Sequence, residues 1–200
     1  MTLLLATNNA HKKQEFAAIF STTTILLPAD VGLAGWEHDE TADTFLGNAL
    51  GKARSLWDRS GGRYPVIADD SGICVDALGG APGVYSARYG SGAGKTLTDT
   101  EKNLLLLKNL EGQTDRRARF VCALALVLGP HRVFTVEEDW EGRVAHGIEG
   151  AHGFGYDPLF LLPNGLTSAQ LSPEEKNRLS HRYRASRRIA ALLADLEEHP

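Results

Sequence analysis

Two aspartates stand side by side in "VIADDSG" (66–72), directly after a short apolar run. Asp69 and Asp70 at the C-terminal end of a strand occupy the place where α/β folds put their ligands. Carboxylate oxygens suit a hard divalent cation such as Mg²⁺, which commonly takes one or two of them together with substrate phosphates. Adjacent carboxylates also repel each other, which raises one pKa unless a cation neutralises them. The same Asp-Asp-Ser-Gly run is also turn chemistry. Side chains alternate along a strand, so the two acids are expected to face opposite ways and do different work. One of them then faces the chemistry, and the other ties down the turn from behind, through backbone N–H groups.

Other stretches carry complementary chemistry. "TNNAHK" (7–12) lies between an apolar run and a helical pattern. A helix start offers free N–H groups and the positive end of its dipole to an anion. Thr7 and Asn9 can donate to phosphate oxygens, and Lys12 lies in the first helical turn; an ordinary capped helix with a solvated lysine reads the same way. Asp39 and Glu40 precede a second helical pattern that carries Lys52; acids in that position also serve simply as dipole partners. "GFGYDP" (153–158) sets Phe154 and Tyr156 among glycines, able to frame a flat ring, with Asp157 able to accept from ring N–H groups. A glycine-rich loop with core aromatics is the competing reading. Lys176, His181 and Arg182 in "EEKNRLSHR" supply donors for phosphate or a carbonyl, while Arg184, Arg187 and Arg188 read as a solvated helix face.

These residues need elements to position them. "TLLLAT" (2–7) reads as a buried strand, and 10–20 as a helix with Asn8 or Asn9 at its N-cap. Residues 41–59 predict a helix with Phe45, Ala49, Ala53 and Leu56 on its apolar face. Residues 65–69 predict a strand and 73–78 a further extended piece. Thr98 with Glu101, and Ser172 with Pro173 and Glu175, are capping-box starts. Residues 117–128 and 132–145 read as strands around a "GPH" turn, and a last helix covers about 182–198. Alternating helices and strands predict an α/β class with a mixed sheet over a single domain, 1–200.

Composition narrows the class. The chain has 200 residues, 42% of them hydrophobic, with a net charge of −4. That suits a full core and argues against bulk nucleic-acid binding, which wants a basic face. The N-terminal apolar run is too short for a signal peptide or a membrane helix, so no membrane partner is expected and a cytoplasmic protein is the default. Cys74 and Cys122 sit in apolar runs without a CxxC pair and read as buried thiols. "GSGAGKT" (90–96) imitates a phosphate loop, but that motif needs four residues between its glycines and Gly90 and Gly94 enclose three.

Taken in order, "DDSGICVDALGGAPGVYSARYG", "GFGYDP" and "EEKNRLSHR" resemble the inosine triphosphate pyrophosphatase family, the dITP/XTP or non-canonical purine NTP pyrophosphatases. The resemblance runs from Thr7 to Ala185. It implies an α/β fold with an elongated mixed β-sheet flanked by helices, two lobes and a central nucleotide cleft, assembled as a homodimer. It implies Mg²⁺-dependent hydrolysis of a purine nucleoside triphosphate (ITP, dITP or XTP) to the monophosphate and pyrophosphate, which cleanses the nucleotide pool. By position, Thr7, Asn8, Asn9, Ala10, His11 and Lys12 match the triphosphate segment and Lys52 a phosphate contact. Glu40 matches a metal-linked acid, Asp70 the catalytic acid beside the metal, and Ser71 a substrate contact, which leaves Asp69 to tie down the turn from behind. Phe154, Gly155, Tyr156, Asp157, Lys176, His181 and Arg182 match the base-side pocket.

The chain departs from the family pattern in places. Asn8 replaces the usual glycine, a residue type that tolerates left-handed backbone better than most. Asp39-Glu40 stands where two glutamates are frequent, and His152 replaces a frequent glycine. A 6-oxo purine offers an acceptor where adenine offers a donor. A donor from Lys176, His181, Arg182 or a backbone N–H would therefore discriminate between them strongly.

Overall fold

The computed structural model describes residues 1–20, 23–92 and 94–198, apart from the side chains of Ala10 and His11. Six strands form one sheet in the order β2-β1-β3-β4-β5-β6. They are β1 (Thr2–Leu5), β2 (Thr24–Leu26), β3 (Val66–Val75), β4 (Arg117–Gly129), β5 (Arg132–Val144) and β6 (Phe160–Leu161). β1 runs parallel to both β2 and β3, whereas β5 and β6 are antiparallel, so the sheet is mixed. The helices are α1 (Ala10–Ile19), α2 (Phe45–Arg59), α3 (Asp99–Asn109), α4 (Pro173–Leu179) and α5 (His181–Glu198).

The chain divides into two compact units. The first comprises residues 1–70, 122–138 and 182–200, and the second residues 71–121 and 139–181. Each has its own core. Leu3, Leu5, Phe16, Ile67, Leu124 and Ile189 are central to the first. Ile73, Leu106, Phe120, Trp140, Tyr156 and Phe160 are central to the second.

Local signals explain most elements. Thr44 caps α2 by accepting from the Gly47 N–H, and Phe45, Ala49, Ala53 and Leu56 are buried as their spacing predicts. Thr98 with Glu101 and Ser172 with Glu175 form complete capping boxes at the starts of α3 and α4. The final helix begins at His181, and Arg184, Arg187 and Arg188 are exposed on it.

One expectation is corrected. The chain does not leave its strand at Asp69: β3 continues unbroken through "VIADDSGICV", with every residue but Ser71 buried. Both acids find partners on neighbouring helices, so the Asp-Asp pair needs no solvated turn. At Gly72 the strand passes so close to Gly83–Ser86 that an added Cβ would lie 2.3 Å from Ser86 Oγ and 2.7 Å from Gly83 O. That close approach accounts for the glycine within a buried strand.

Candidate functional site

Within the first unit the candidate side chains converge on the central stretch of β3. Thr7 Oγ1 accepts from the Asn9 N–H (3.1 Å), and Asn9 Oδ1 accepts from the Lys12 N–H (3.2 Å), so Asn9 caps α1. The exposed Asn8 donates from its side chain to the Trp36 carbonyl at 3.0 Å. The backbones of Ala10 and His11 lie in the first turn of α1; their side chains lie outside the described residues. One turn into α1, Lys12 pairs with the Asp69 carboxylate.

Asp69 is fully enclosed. Besides Lys12, it accepts from Arg182 Nε at 3.1 Å and from the Cys122 thiol at 3.1 Å. Arg182, only 2% exposed, also pairs with Glu15 of α1. Burial opposes the Asp69 charge, but Arg182 and then Lys12 outweigh it and hold the carboxyl well below the usual range. The Cys122 thiol is pushed well up, first by burial and then by the Asp69 charge. Side chains of α1, α5 and β4 thus hold Asp69 within the strand, where the sequence suggested a turn.

Asp70 meets a different set of partners. Lys52 of α2 donates to Asp70 Oδ1 (3.2 Å), Glu40 Oε1 (2.7 Å) and the Asp69 carbonyl (2.7 Å). Asn48 donates to Asp70 Oδ2 at 3.0 Å and accepts from the Ala42 N–H at 2.9 Å. One ammonium thus joins two carboxylates from distant parts of the chain. Burial raises the Asp70 pKa most; Lys52 pulls it back and Glu40 pushes it up, leaving it above its ordinary value. For Lys52, burial works against the charge, yet Asp70 and Glu40 together hold its pKa above the usual lysine value.

The segment bearing Glu40 lies directly on α2. A Cβ at Gly47 would sit 2.7 Å from Ala42 Cβ, and one at Gly51 would sit 2.8 Å from His38 Nε2. Glycines one turn apart on the helix therefore admit residues 38–42 at contact distance. Asn48 was missed in the sequence although a signal was present. It stands three residues after Phe45 and four before Lys52, an amide on a face otherwise destined for burial, and it is 1% exposed.

The second unit gathers the remaining candidates. Asp157 is 2% exposed and accepts from Lys176 Nζ (2.6 Å), the Phe154 N–H (2.8 Å) and the Ser168 hydroxyl (2.7 Å). The Lys176 ammonium also lies over the Phe154 ring, 4.9 Å from its centroid. Tyr156 is buried and donates to the Ser86 carbonyl at 2.9 Å. The His181 imidazole stacks on Phe120 with centroids 4.9 Å apart and lies 6.5 Å from the Trp140 ring. Asp157 is thus already engaged as the holder of Lys176 and of the Phe154 main chain. Ser71, the first residue of this unit, is half-buried on β3, and His152 is exposed.

"GSGAGKT" forms no phosphate loop. Gly92 and Lys95 bridge each other, Ala93 lies outside the described residues, and Lys95 pairs with Glu101 in the open. Both cysteines are buried, and neither forms a disulfide among the described residues. Among the described residues no helix is long and apolar enough to cross a membrane.

A family model described as the Ham1 family matches residues 3–192. The chain belongs to the Ham1 family. A dITP/XTP pyrophosphatase of Treponema pallidum is 48% identical to this Ham1 chain over 198 residues, 98% of this chain and 72% of the relative. One of Burkholderia pseudomallei is 45% identical over 197 residues, 97% of this chain and 94% of the relative. A solved Ham1 protein from Coxiella burnetii superposes with a TM-score of 0.87 at 35% identity, covering 98% of this chain and 99% of that one. The mixed sheet and its flanking helices are accordingly those of the Ham1 fold.

Proposed function

We propose that this Ham1 protein hydrolyses non-canonical purine nucleoside triphosphates, dITP, ITP or XTP, to the monophosphate and pyrophosphate. The observation that carries the reading is the single Lys52 ammonium shared by Glu40 and Asp70 on a buried strand. It stands in a chain whose relatives are named dITP/XTP pyrophosphatase.

Asp70 has the surroundings of a general base: it is buried, and its carboxyl is raised towards the operating pH. It accepts a proton from the water that attacks the α-phosphorus. The bond to the β-phosphate oxygen breaks, and pyrophosphate leaves with the electron pair. Asn48 and Lys52 each hold one Asp70 oxygen and so fix the direction in which the carboxylate points. Lys52, Lys12 and the first turn of α1 offer positive charge and N–H groups to phosphate oxygens.

Glu40 and Asp70 are also the groups that would hold Mg²⁺. Two hard oxygen donors on one ammonium, one of them with a raised pKa, form a site with charge to spare for a cation. Among the described residues no group of three or more His, Cys, Asp or Glu side chains is placed to hold a metal ion, which fits a cation completed by substrate phosphates rather than by a protein cage. When bound, it would neutralise charge on the phosphates.

The base end is assigned to Phe154, as a face for the ring, and to Lys176, as a donor towards a 6-oxo group. Gly155 and Tyr156 shape that loop, and His181, stacked on Phe120, is assigned to the same end as a further donor. Arg182 is enclosed by Asp69 and Glu15, so its assigned role is to hold Asp69 and the start of α1 rather than to meet the base directly. A homodimer remains part of this reading through the family resemblance, and a cytoplasmic location as its default. The test is incubation with dITP and Mg²⁺ and separation of products. Monophosphate with pyrophosphate supports the proposal. Diphosphate with orthophosphate, or tight binding without turnover, contradicts it.

A further inference from the structure

Gly155 is held at both ends of its residue by one helix. Its N–H donates to Asp99 Oδ2 at 2.8 Å, and its carbonyl accepts from Asn103 Nδ2 at 2.9 Å. Asp99 and Asn103 lie one turn apart on α3, so they present neighbouring side chains to the same strip of loop. Asp99 Oδ1 takes the Lys102 ammonium at 2.7 Å, and Lys102 in turn donates to the Ala87 carbonyl at 3.1 Å. Next to Ala87, the Ser86 carbonyl receives the Tyr156 hydroxyl. The loop is therefore tied to α3 directly at Gly155 and indirectly at Tyr156, through the turn that Lys102 grips.

This fastening compensates for the sequence of the loop. Gly153 and Gly155 adopt positive φ values of 76° and 61°, and glycines give a chain more freedom than any other residue. Phe154 lies between them and carries the ring over which Lys176 sits. Asn103 is 2% exposed, and its Oδ1 has no protein partner among the described residues. Its one side-chain hydrogen bond among them is the bond to Gly155, so nothing else explains a buried amide there.

We propose that Asp99 and Asn103 are positioning residues for base selectivity: by clamping both main-chain groups of Gly155 they hold Phe154 and Lys176 in the arrangement that receives the purine ring. The proposal rests on the assignment of Phe154 and Lys176 to the base. Neither α3 residue touches substrate; they act through the loop.

The experiment is steady-state kinetics on full-length Asp99→Ala, Asp99→Asn, Asn103→Ala and Phe154→Ala variants, with dITP and dATP as the substrate pair. Asp99→Ala and Asn103→Ala are expected to raise KM for dITP about tenfold, the worth of one hydrogen bond to a charged or buried group. Turnover number should stay within about threefold, because the reacting phosphate is held elsewhere. The ratio of kcat/KM for dITP over dATP should fall with it. Asp99→Asn retains an oxygen that accepts from the Gly155 N–H and is expected to restore KM. Alanine is the better helix former at position 103, so a loss there is not melting of α3, and thermal unfolding of each variant checks this.

Equal weakening of both substrates, with the ratio unchanged, would overturn the proposal in favour of a purely structural clamp. So would an unchanged KM in Asp99→Ala and Asn103→Ala while Phe154→Ala raises it; that outcome leaves the base assignment standing. If Phe154→Ala also leaves KM unchanged, the base assignment itself fails and the proposal falls with it.

Discussion

The guanidinium of Arg182 donates to the carboxylate of Asp69 across 113 residues of chain, in a place where neither side chain meets solvent. Lys12 and the Cys122 thiol complete the enclosure. A buried ion group of this kind is costly to break from one side, because the partner charges stay behind. Asp69→Asn is expected to lower the unfolding free energy by about 3 kcal/mol, read from urea denaturation near neutral pH. A loss under about 1 kcal/mol would show that Arg182 and Lys12 relax to water instead.

Lys52 offsets the repulsion between Glu40 and Asp70 and brings them together in space. Lys52→Met removes that ammonium and leaves two carboxylates beside each other. Turnover of dITP is expected to fall about 100-fold or more, the range for removing one preorganised charge at a phosphoryl site. Excess Mg²⁺ should offset part of the loss of stability but not of turnover, which a thermal melt beside the kinetic assay separates.

How much of this was legible in the sequence follows from the range of each interaction. The starts of α3 and α4 were readable because a capping box is closed within four residues. The buried face of α2 was readable because Phe45, Ala49, Ala53 and Leu56 repeat at helical spacing. The continuity of β3 was not. "ADDSG" has turn composition, and its burial depends on Lys12, Lys52 and Arg182, which lie 57, 17 and 113 residues from Asp69. β2 and β6, with three and two residues, carry too little pattern to find. The role of Asp157 as a holder of Lys176 also needed coordinates, since an acid in a glycine-rich loop reads equally as a ligand contact.

A Cβ at Gly153 would lie 2.1 Å from Asp157 Oδ2, and the residue has a φ of 76°. Gly153→Ala therefore meets both backbone strain and a fixed carboxylate. The expected cost is about 2 kcal/mol of stability, accompanied by a rise in KM for dITP as Asp157 releases Lys176. Denaturation and kinetics on the same preparation check the two effects together.

Burial holds the Tyr156 phenol protonated well above the usual tyrosine range. Its folded pKa exceeds its unfolded value, so its contribution to stability is fully present below the unfolded pKa and is lost as pH rises through the folded one. At neutral pH, Tyr156→Phe is expected to cost about 1 kcal/mol for the bond to the Ser86 carbonyl. That difference should narrow as pH rises past about 10, where the unfolded phenol ionises. Paired denaturation curves from pH 7 to 11 test it, and a difference that widens with pH would contradict the sign.

The central claim is that Asp70 activates water for attack on the α-phosphate of a non-canonical purine triphosphate. The most direct measurement is product analysis of dITP hydrolysis by the wild-type protein and by Asp70→Asn, each shown to be folded by circular dichroism. The account predicts pyrophosphate and monophosphate in equal amounts from the wild type, and a turnover at least about 100-fold lower from the variant. Near-normal turnover by Asp70→Asn, or orthophosphate as the wild-type product, would contradict it.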